Sequence, residues 1–572
     1  MNFELLPNEI LLDLFNYFNG VDLFWAFYRL NSRFNFLLHT QCSFYYFKFN
    51  CVSKRHFDMI CQRHLPFIAN RIIALSLSDY RETPGQINLF LSYIPSFKQF
   101  TNLRSLSLSS LRSYQTLLKL LNESHHMNNL THLNFYSCSF PNEQVNFQLI
   151  ADTIWSLPKL TNCFFSIMEE QKIFHMPTVV SSSIKYVSIF GSELQRNQIK
   201  RLFDYTPHLK HLSTLIKSVS DTNYIVLPVP TLTTLNIYFF DDHIVSTINM
   251  FFQGMPNLCH LSIDIQSELI DGYQWEQIIR NYLPKLKTFR LKMKQRCFQQ
   301  ENIHKRVDQL IDSFRSSFWI DEHQWFVRCF TQNRIIHLNT LSDSFDCYES
   351  ICNVWRSTYP LDNEKEFYDN MTSIYNETFF SRPIPYYIRL ANIKSLYIKL
   401  PINNQFWSIV PSLNRLRSLT VSSHDDAFQS QLQTLLDQAL HLYTLTIRQD
   451  TSLSLQMSLF KYINTSVRRF DLYDCNYCFN EEECTTLSRS PLGTQCEVLS
   501  IRVKNRESIV HLIKNMLNLR TLIVECIDTK CHQRSILTTN NDEIIQWLKS
   551  RLPLKYLIVR DPETDNGILI WI

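Results

Sequence analysis

One short phrase recurs along this chain and constrains what it can fold into. Its first, fourth and sixth positions are apolar. Early copies are Leu103, Leu106 and Leu108; Leu130, Leu133 and Phe135; Leu232, Leu235 and Ile237; Leu258, Leu261 and Ile263. Later copies are Leu286, Phe289 and Leu291; Leu416, Leu419 and Val421; Leu442, Leu445 and Ile447; Leu519, Leu522 and Val524. Neighbouring copies lie about 23–31 residues apart. The alternating positions mark a short strand with one buried face. Helical stretches lie between the phrases, as over 429–437 with Leu432, Leu435 and Leu436. Pro158, Pro207, Pro230, Pro256 and Pro284 stand two residues ahead of the first apolar position. There proline ends a helix and favours an extended lead into a strand. One strand and one helix cannot bury their apolar faces alone, so the units must stack. The expected fold is an α/β solenoid, a horseshoe with a parallel sheet on its concave face and helices on its convex face.

Composition narrows the function. The chain has 572 residues, more than one compact core holds, and a net charge of +4 that gives bulk nucleic-acid or membrane attraction no support. Only 7 residues are Gly, and no GxGxxG or GxxxxGK[ST] run appears, so phosphate-cradling loops are not expected. The 16 Cys are spread without small-scaffold spacing, and the start Met1, Asn2, Phe3, Glu4 lacks a basic leader. Reduced thiols in the cytoplasm or nucleus are the expectation. No stretch is long and apolar enough for a bilayer span.

The N-terminal segment is a separate unit. Leu6, Ile10, Leu11, Leu14, Phe15 and Phe18 form one helical stripe, and Pro7 suits a first turn. Asn19 and Gly20 stop that helix. A second helix fits 22–30, and Asn31 or Ser32 caps a third that carries Phe34, Leu37 and Leu38. Three such helices bury little surface by themselves and need a neighbour.

The blocks Leu6 to Leu11, Val21 to Leu23 and Leu30 to Phe34 resemble the F-box, whose pattern is LPxEIL, a D-L pair, and a closing N-x-R-[FW]. The match runs over about 3–46. F-box units dock on the Skp-type adaptor of a cullin–RING ubiquitin ligase. By position, the resemblance puts Leu6, Pro7, Ile10, Leu11, Leu14 and Leu23 at or under that interface. The aromatic second helix, Phe24, Trp25, Ala26, Phe27 and Tyr28, departs from the family, which often has smaller residues there. The repeated phrase is similar to the leucine-rich repeat. The two together resemble the F-box/leucine-rich-repeat class of substrate receptors, in which the repeats hold the target and the helical unit holds the ligase. That work is positioning and needs no catalytic residue, cofactor or metal on this chain. The alternative is a repeat scaffold that acts without ubiquitin transfer. The expected organisation is an F-box over 1–46, linking helices over 47–71, repeats over 72–291, an irregular stretch over 292–389 and repeats over 390–572. The irregular stretch reads as degenerate repeats with an insertion; a small extra domain is the alternative there.

Few constellations point to chemistry. Cys475, Cys478, Cys484 and Cys496 invite a zinc reading. The register argues against it, since Cys138 and Cys475 both fall at the ninth position, where leucine-rich repeats carry a buried Asn or Cys. Asp241, Asp242 and His243, and His424, Asp425 and Asp426, sit between strand and helix and read as helix caps. Asn480 to Glu483 fits a related cap, and the pair His125, His126 reads as a surface loop.

The seventh position of each phrase should point outward. Early in the chain that column reads Tyr136, Ser166, Phe190, Tyr238 and Asp264. Later it reads Lys292, Lys399, Ser422, Arg448, Tyr473, Arg502, Glu525 and Arg560. The late cations suggest capture of an acidic or phosphorylated protein segment, with Tyr136, Phe190 and Tyr238 meeting its apolar parts. No nucleic acid or membrane is expected as a partner. The apolar end, 566–572, reads as a cover for the last repeat.

Overall fold

Burial follows the phrase. Its first, fourth and sixth residues are buried in copy after copy, and the residues between them are mostly half-buried or exposed, Thr521 and Ile523 of the last copy being buried as well. The computed structural model describes residues 3–141, 143–168, 173–217, 229–240, 245–297, 302–341, 352–381, 383–422, 426–449, 457–527, 543–564 and 566–572. They form two units, each built on one mixed sheet with large parallel stretches and helices between the strands.

The first unit comprises Met1–Tyr80, Gly85–Asp343 and Val354–Pro360. Three helices, α1 (Asn8–Phe15), α2 (Gly20–Phe27) and α3 (Ser32–Phe36), precede its sheet. The strands are β1 (Tyr45–Lys48), β2 (Ile72–Ser78), β3 (Ser105–Ser109), β4 (His132–Ser139), β5 (Asn162–Met168) and β6 (Tyr186–Gln195). They continue as β7 (His211–Lys217), β8 (Thr234–Phe239), β9 (His260–Ile265) and β10 (Thr288–Arg296). All of these run parallel in chain order. The sheet therefore begins at Tyr45, inside the stretch expected to be helical. Fourth-position residues face one another from strand to strand: Leu106 with Leu133, Leu133 with Cys163, Leu235 with Leu261, Leu261 with Phe289. A slip of one residue would turn every buried side chain to solvent, so the phrase itself sets the register.

Residues beyond β10 do not continue the parallel ladder as degenerate repeats would. β11 (Val327–Gln332), β12 (Ile335–Thr340) and β13 (Val354–Ser357) add antiparallel in the order β10, β12, β11, β13. The reason is local. Asn333 and Arg334 both have positive φ, 47° and 63°, and form a two-residue hairpin turn. Such a turn matches the twist of paired strands and returns the chain antiparallel.

The second unit comprises Arg81–Pro84, Ser344–Asn353 and Leu361–Ile572. Its parallel strands are β14 (Ser373–Ile374), β15 (Ser395–Lys399), β16 (Ser418–Ser422), β17 (Thr444–Arg448), β18 (Arg469–Asp471), β19 (Val498–Val503) and β20 (Thr521–Cys526). The chain then forms β21 (Leu557–Arg560) and β22 (Gly567–Trp571). β22 inserts antiparallel between β20 and β21, and its residues are buried. The apolar C-terminal residues are thus an internal strand of this sheet, and β21 is its last strand.

Candidate docking surfaces

The N-terminal helices are held by the blocks that carry the F-box resemblance. Asn31 caps α3 by accepting from the Phe34 N–H at 3.0 Å, and its amide donates to Glu4 Oε1 at 2.8 Å. Arg33 reaches back to the chain start. It donates to the Leu6 carbonyl at 2.5 Å, the Glu4 carbonyl at 2.7 Å and Asn8 Oδ1 at 2.8 Å. The Asn and Arg of the third block therefore pin the Leu6 and Pro7 of the first. Beneath them Phe27 packs on Phe15 and Phe34, with ring centroids 5.0 and 5.4 Å apart. Leu11 and Leu23 lie in this core.

The aromatic departure in α2 has a structural use. Phe24 stacks on His64 at 4.4 Å, Trp25 lies on His56 at 3.8 Å, and Phe24 also meets Tyr45 and Phe47 of β1. The helices are thereby joined to the sheet of their own unit. Gly20 allows this approach, because a Cβ there would stand 2.6 Å from the Phe47 ring. His64 is buried with neither ring nitrogen hydrogen-bonded. Burial, with the cationic neighbours Arg63 and Arg29 and the nearby His39, pushes its pKa down to about 4.

One side of the helical unit stays open. Leu5 is 82% exposed, Ile10 46% and Tyr17 87%, and Pro7 and Phe18 are also exposed. Leu6 and Leu14 are half-buried. Of the six residues that the resemblance puts at or under the adaptor interface, Pro7 and Ile10 lie on this side, Leu6 and Leu14 at its margin, and Leu11 and Leu23 beneath it. Scattered apolar exposure is ordinary, but several large side chains close in sequence form a patch.

The open face of the first sheet gathers the predicted aromatics. Phe190 and Tyr238 lie 5.7 Å apart, centroid to centroid. Tyr136 joins them through Phe164, which sits 4.7 Å from Tyr136 and 5.5 Å from Phe190. Phe164 was missed because only the seventh column was read. In a strand the third and fifth positions share that face, and Phe164 is a fifth.

The second sheet tells differently on the cation column. Lys399 is exposed on β15. Arg448 pairs with Asp474 at 3.2 Å and lies over Tyr397. Arg502 pairs with Glu525 at 2.8 Å and lies over Tyr473. Arg560 does not follow Glu525 on the next strand, because β22 lies between them. Within the same unit Glu82 engages Arg469 and lies 3.8 Å from Arg520, while Thr521 Oγ1 donates to the Glu82 carbonyl at 2.8 Å. Arg81 pairs with the buried Asp561 at 2.6 Å. Arg448 and Arg502 of the expected ladder are thus already paired with acids of their own unit.

The cysteines sit as the register requires. Cys138 Sγ lies 3.7 Å from the Leu108 carbonyl and Cys475 Sγ 3.1 Å from that of Ile447, each the sixth position of the preceding phrase. Both thiols are buried, and burial pushes the pKa of Cys138 up to about 12 and that of Cys475 well above the usual range. Such thiols are poor thiolate ligands or nucleophiles. Among the described residues no group of three His, Cys, Asp or Glu is arranged to hold a metal ion. Asn480 and Glu483 form a reciprocal capping box. The stretches Asp241 to His243 and His424 to Asp425 lie outside the described residues. No helix among the described residues is long and apolar enough to cross a membrane. No protein-family model and no curated protein matches the chain.

Proposed function

We propose that this chain is an F-box/leucine-rich-repeat substrate receptor of a Skp–cullin–F-box ubiquitin ligase. The open side of the N-terminal segment, with Leu5, Pro7 and Ile10, docks on the Skp-type adaptor. The open sheet faces hold the target protein and present its lysines to the ubiquitin-loaded enzyme. The receptor contributes proximity and orientation and carries out no bond chemistry. One observation carries the reading: Ile10 on α1 and Leu5, Tyr17 and Phe18 flanking it remain exposed, while Arg33 and Asn31 hold the chain start in place. The alternative, a repeat scaffold acting without ubiquitin transfer, draws on the stacking of α2 against His56 and His64, which gives the helices a role inside their own unit. Affinity purification of the tagged chain from its native cell separates the two. Recovery of cullin and RING subunits, lost in an Ile10→Lys, Leu14→Lys double variant, supports the receptor. Their absence from the wild-type eluate refutes it.

A further inference from the structure

The open face of the first sheet has a chemical character of its own. From β2 to β9 the third, fifth and seventh positions are Ala, Ser, Asn, Thr, His, Leu, Tyr and Phe, and Asp264 is the one residue there with a formal charge. The aromatic ladder Tyr136, Phe164, Phe190, Tyr238 crosses this neutral field. A line of imidazoles, His132, His211 and His260, runs beside it, and burial lowers the pKa of His211. The same columns of the second sheet carry Lys399, Arg448, Arg469, Asp471, Arg502 and Glu525 instead, with Val498 and Ile523 buried against Leu569.

We infer that the first sheet's open face binds an uncharged, extended peptide segment bearing aromatic side chains, and so deepens the receptor reading on which it rests by naming the target's chemistry. The occupant follows from complementarity. An acidic or phosphorylated segment laid across β2 to β9 would lose hydration and find no Lys or Arg in these columns, the nearest being Arg290 and Lys292 on β10, a cost that selects against such targets. Rings side by side offer offset and edge contacts to incoming rings. The surrounding hydroxyls, amides and imidazoles supply donors and acceptors to an extended backbone, the same mixture of rigid Tyr and adaptable Ser and Asn that protein-recognition loops use. Single-stranded nucleic acid also stacks on rings, but it needs cations along its backbone, and no Lys or Arg stands in these three columns from β2 to β9.

The test uses the full chain. A library of short random-sequence peptides displayed on phage is selected against it, and the enriched sequences are made as synthetic peptides. The expected winners lack net charge and contain Phe, Tyr or Trp. Their Kd changes by less than about twofold between about 0.05 and 0.5 M salt. A Phe164→Ser, Phe190→Ser double variant binds them at least about tenfold more weakly. Should that variant fold poorly, Tyr136→Lys, at an exposed position, gives the same direction of loss. Enrichment of acidic peptides, salt-sensitive binding of a single-stranded oligouridylate at the same residues, or no enrichment overturns the inference. Adaptor binding is measured apart from this selection, so failure here leaves the ligase reading standing, and the reverse also holds.

Discussion

Replacing Arg33 with Ala tests the locking of the N-terminal unit. Arg33 makes three hydrogen bonds, to the carbonyls of Leu6 and Glu4 and to Asn8 Oδ1. A hydrogen bond to a charged group contributes about 1.5–3 kcal/mol when well shielded. Arg33 is only half-buried, so solvent replaces part of each bond. A net loss of about 2 kcal/mol is a reasonable sum, and it falls on the chain start and α1. Converted at about 1.4 kcal/mol per tenfold, that is roughly a thirtyfold rise in local opening. Hydrogen exchange read by mass spectrometry resolves it. Peptides covering 3–15 should exchange about thirtyfold faster, while those from β4 to β9 keep their protection. Arg33→Lys should fall between, because an ammonium cannot span all three acceptors in the guanidinium's fork. Unchanged exchange over 3–15, or an equal rise throughout the sheet, would refute the clamp.

Two further outcomes follow from the same geometry. His64 is favoured neutral in the fold, with a pKa near 4 against 6.5 in the open chain, so its contribution is present above pH 6.5 and is lost as pH falls from there to about 4. His64→Phe should flatten that part of the stability–pH profile measured by thermal melts; an identical profile would show that His64 is not the group responsible. Arg502→Ala strands Glu525, whose side chain is only 17% exposed, and should destabilise the second unit by about 1–2 kcal/mol, seen as a lower denaturant midpoint. A stability gain would mean that Arg502 is held there for a partner and not for Glu525.

What the sequence revealed and what it hid divide along physical lines. The strands were legible because Leu106, Leu133 and Leu261 repeat one burial pattern, and Cys138 and Cys475 fell into place by the same register. The antiparallel turn at β11 and β12 was hidden by the choice of residue. Asn333 is a familiar left-handed residue, but Arg334 is not, so the pair gave a weak hairpin signal. Placement of β22 between β20 and β21 depends on pairing order, which local sequence does not specify. On the candidate site, alternation groups Tyr136, Phe190 and Tyr238, but Ser422 of the same column is buried, and Phe164 belongs to a neighbouring column of that face. The expectation of a free cation ladder failed for a different reason: Glu525 stands opposite Arg502 on the adjacent strand, and Asp474 reaches Arg448 from the following phrase, so these cations meet acids of their own sheet.

The most direct test of the central claim is a titration of purified Skp-type adaptor into the full chain by calorimetry. Burying the exposed part of Ile10, about half of a side chain whose full burial is worth about 1.5–3 kcal/mol, contributes about 1 kcal/mol, and a Lys there adds the cost of burying a charge. Saturable one-to-one binding that weakens at least about tenfold in Ile10→Lys, with an unchanged melting temperature, is the predicted result. No heat of binding from the wild-type chain, or equal affinity from both proteins, would contradict it.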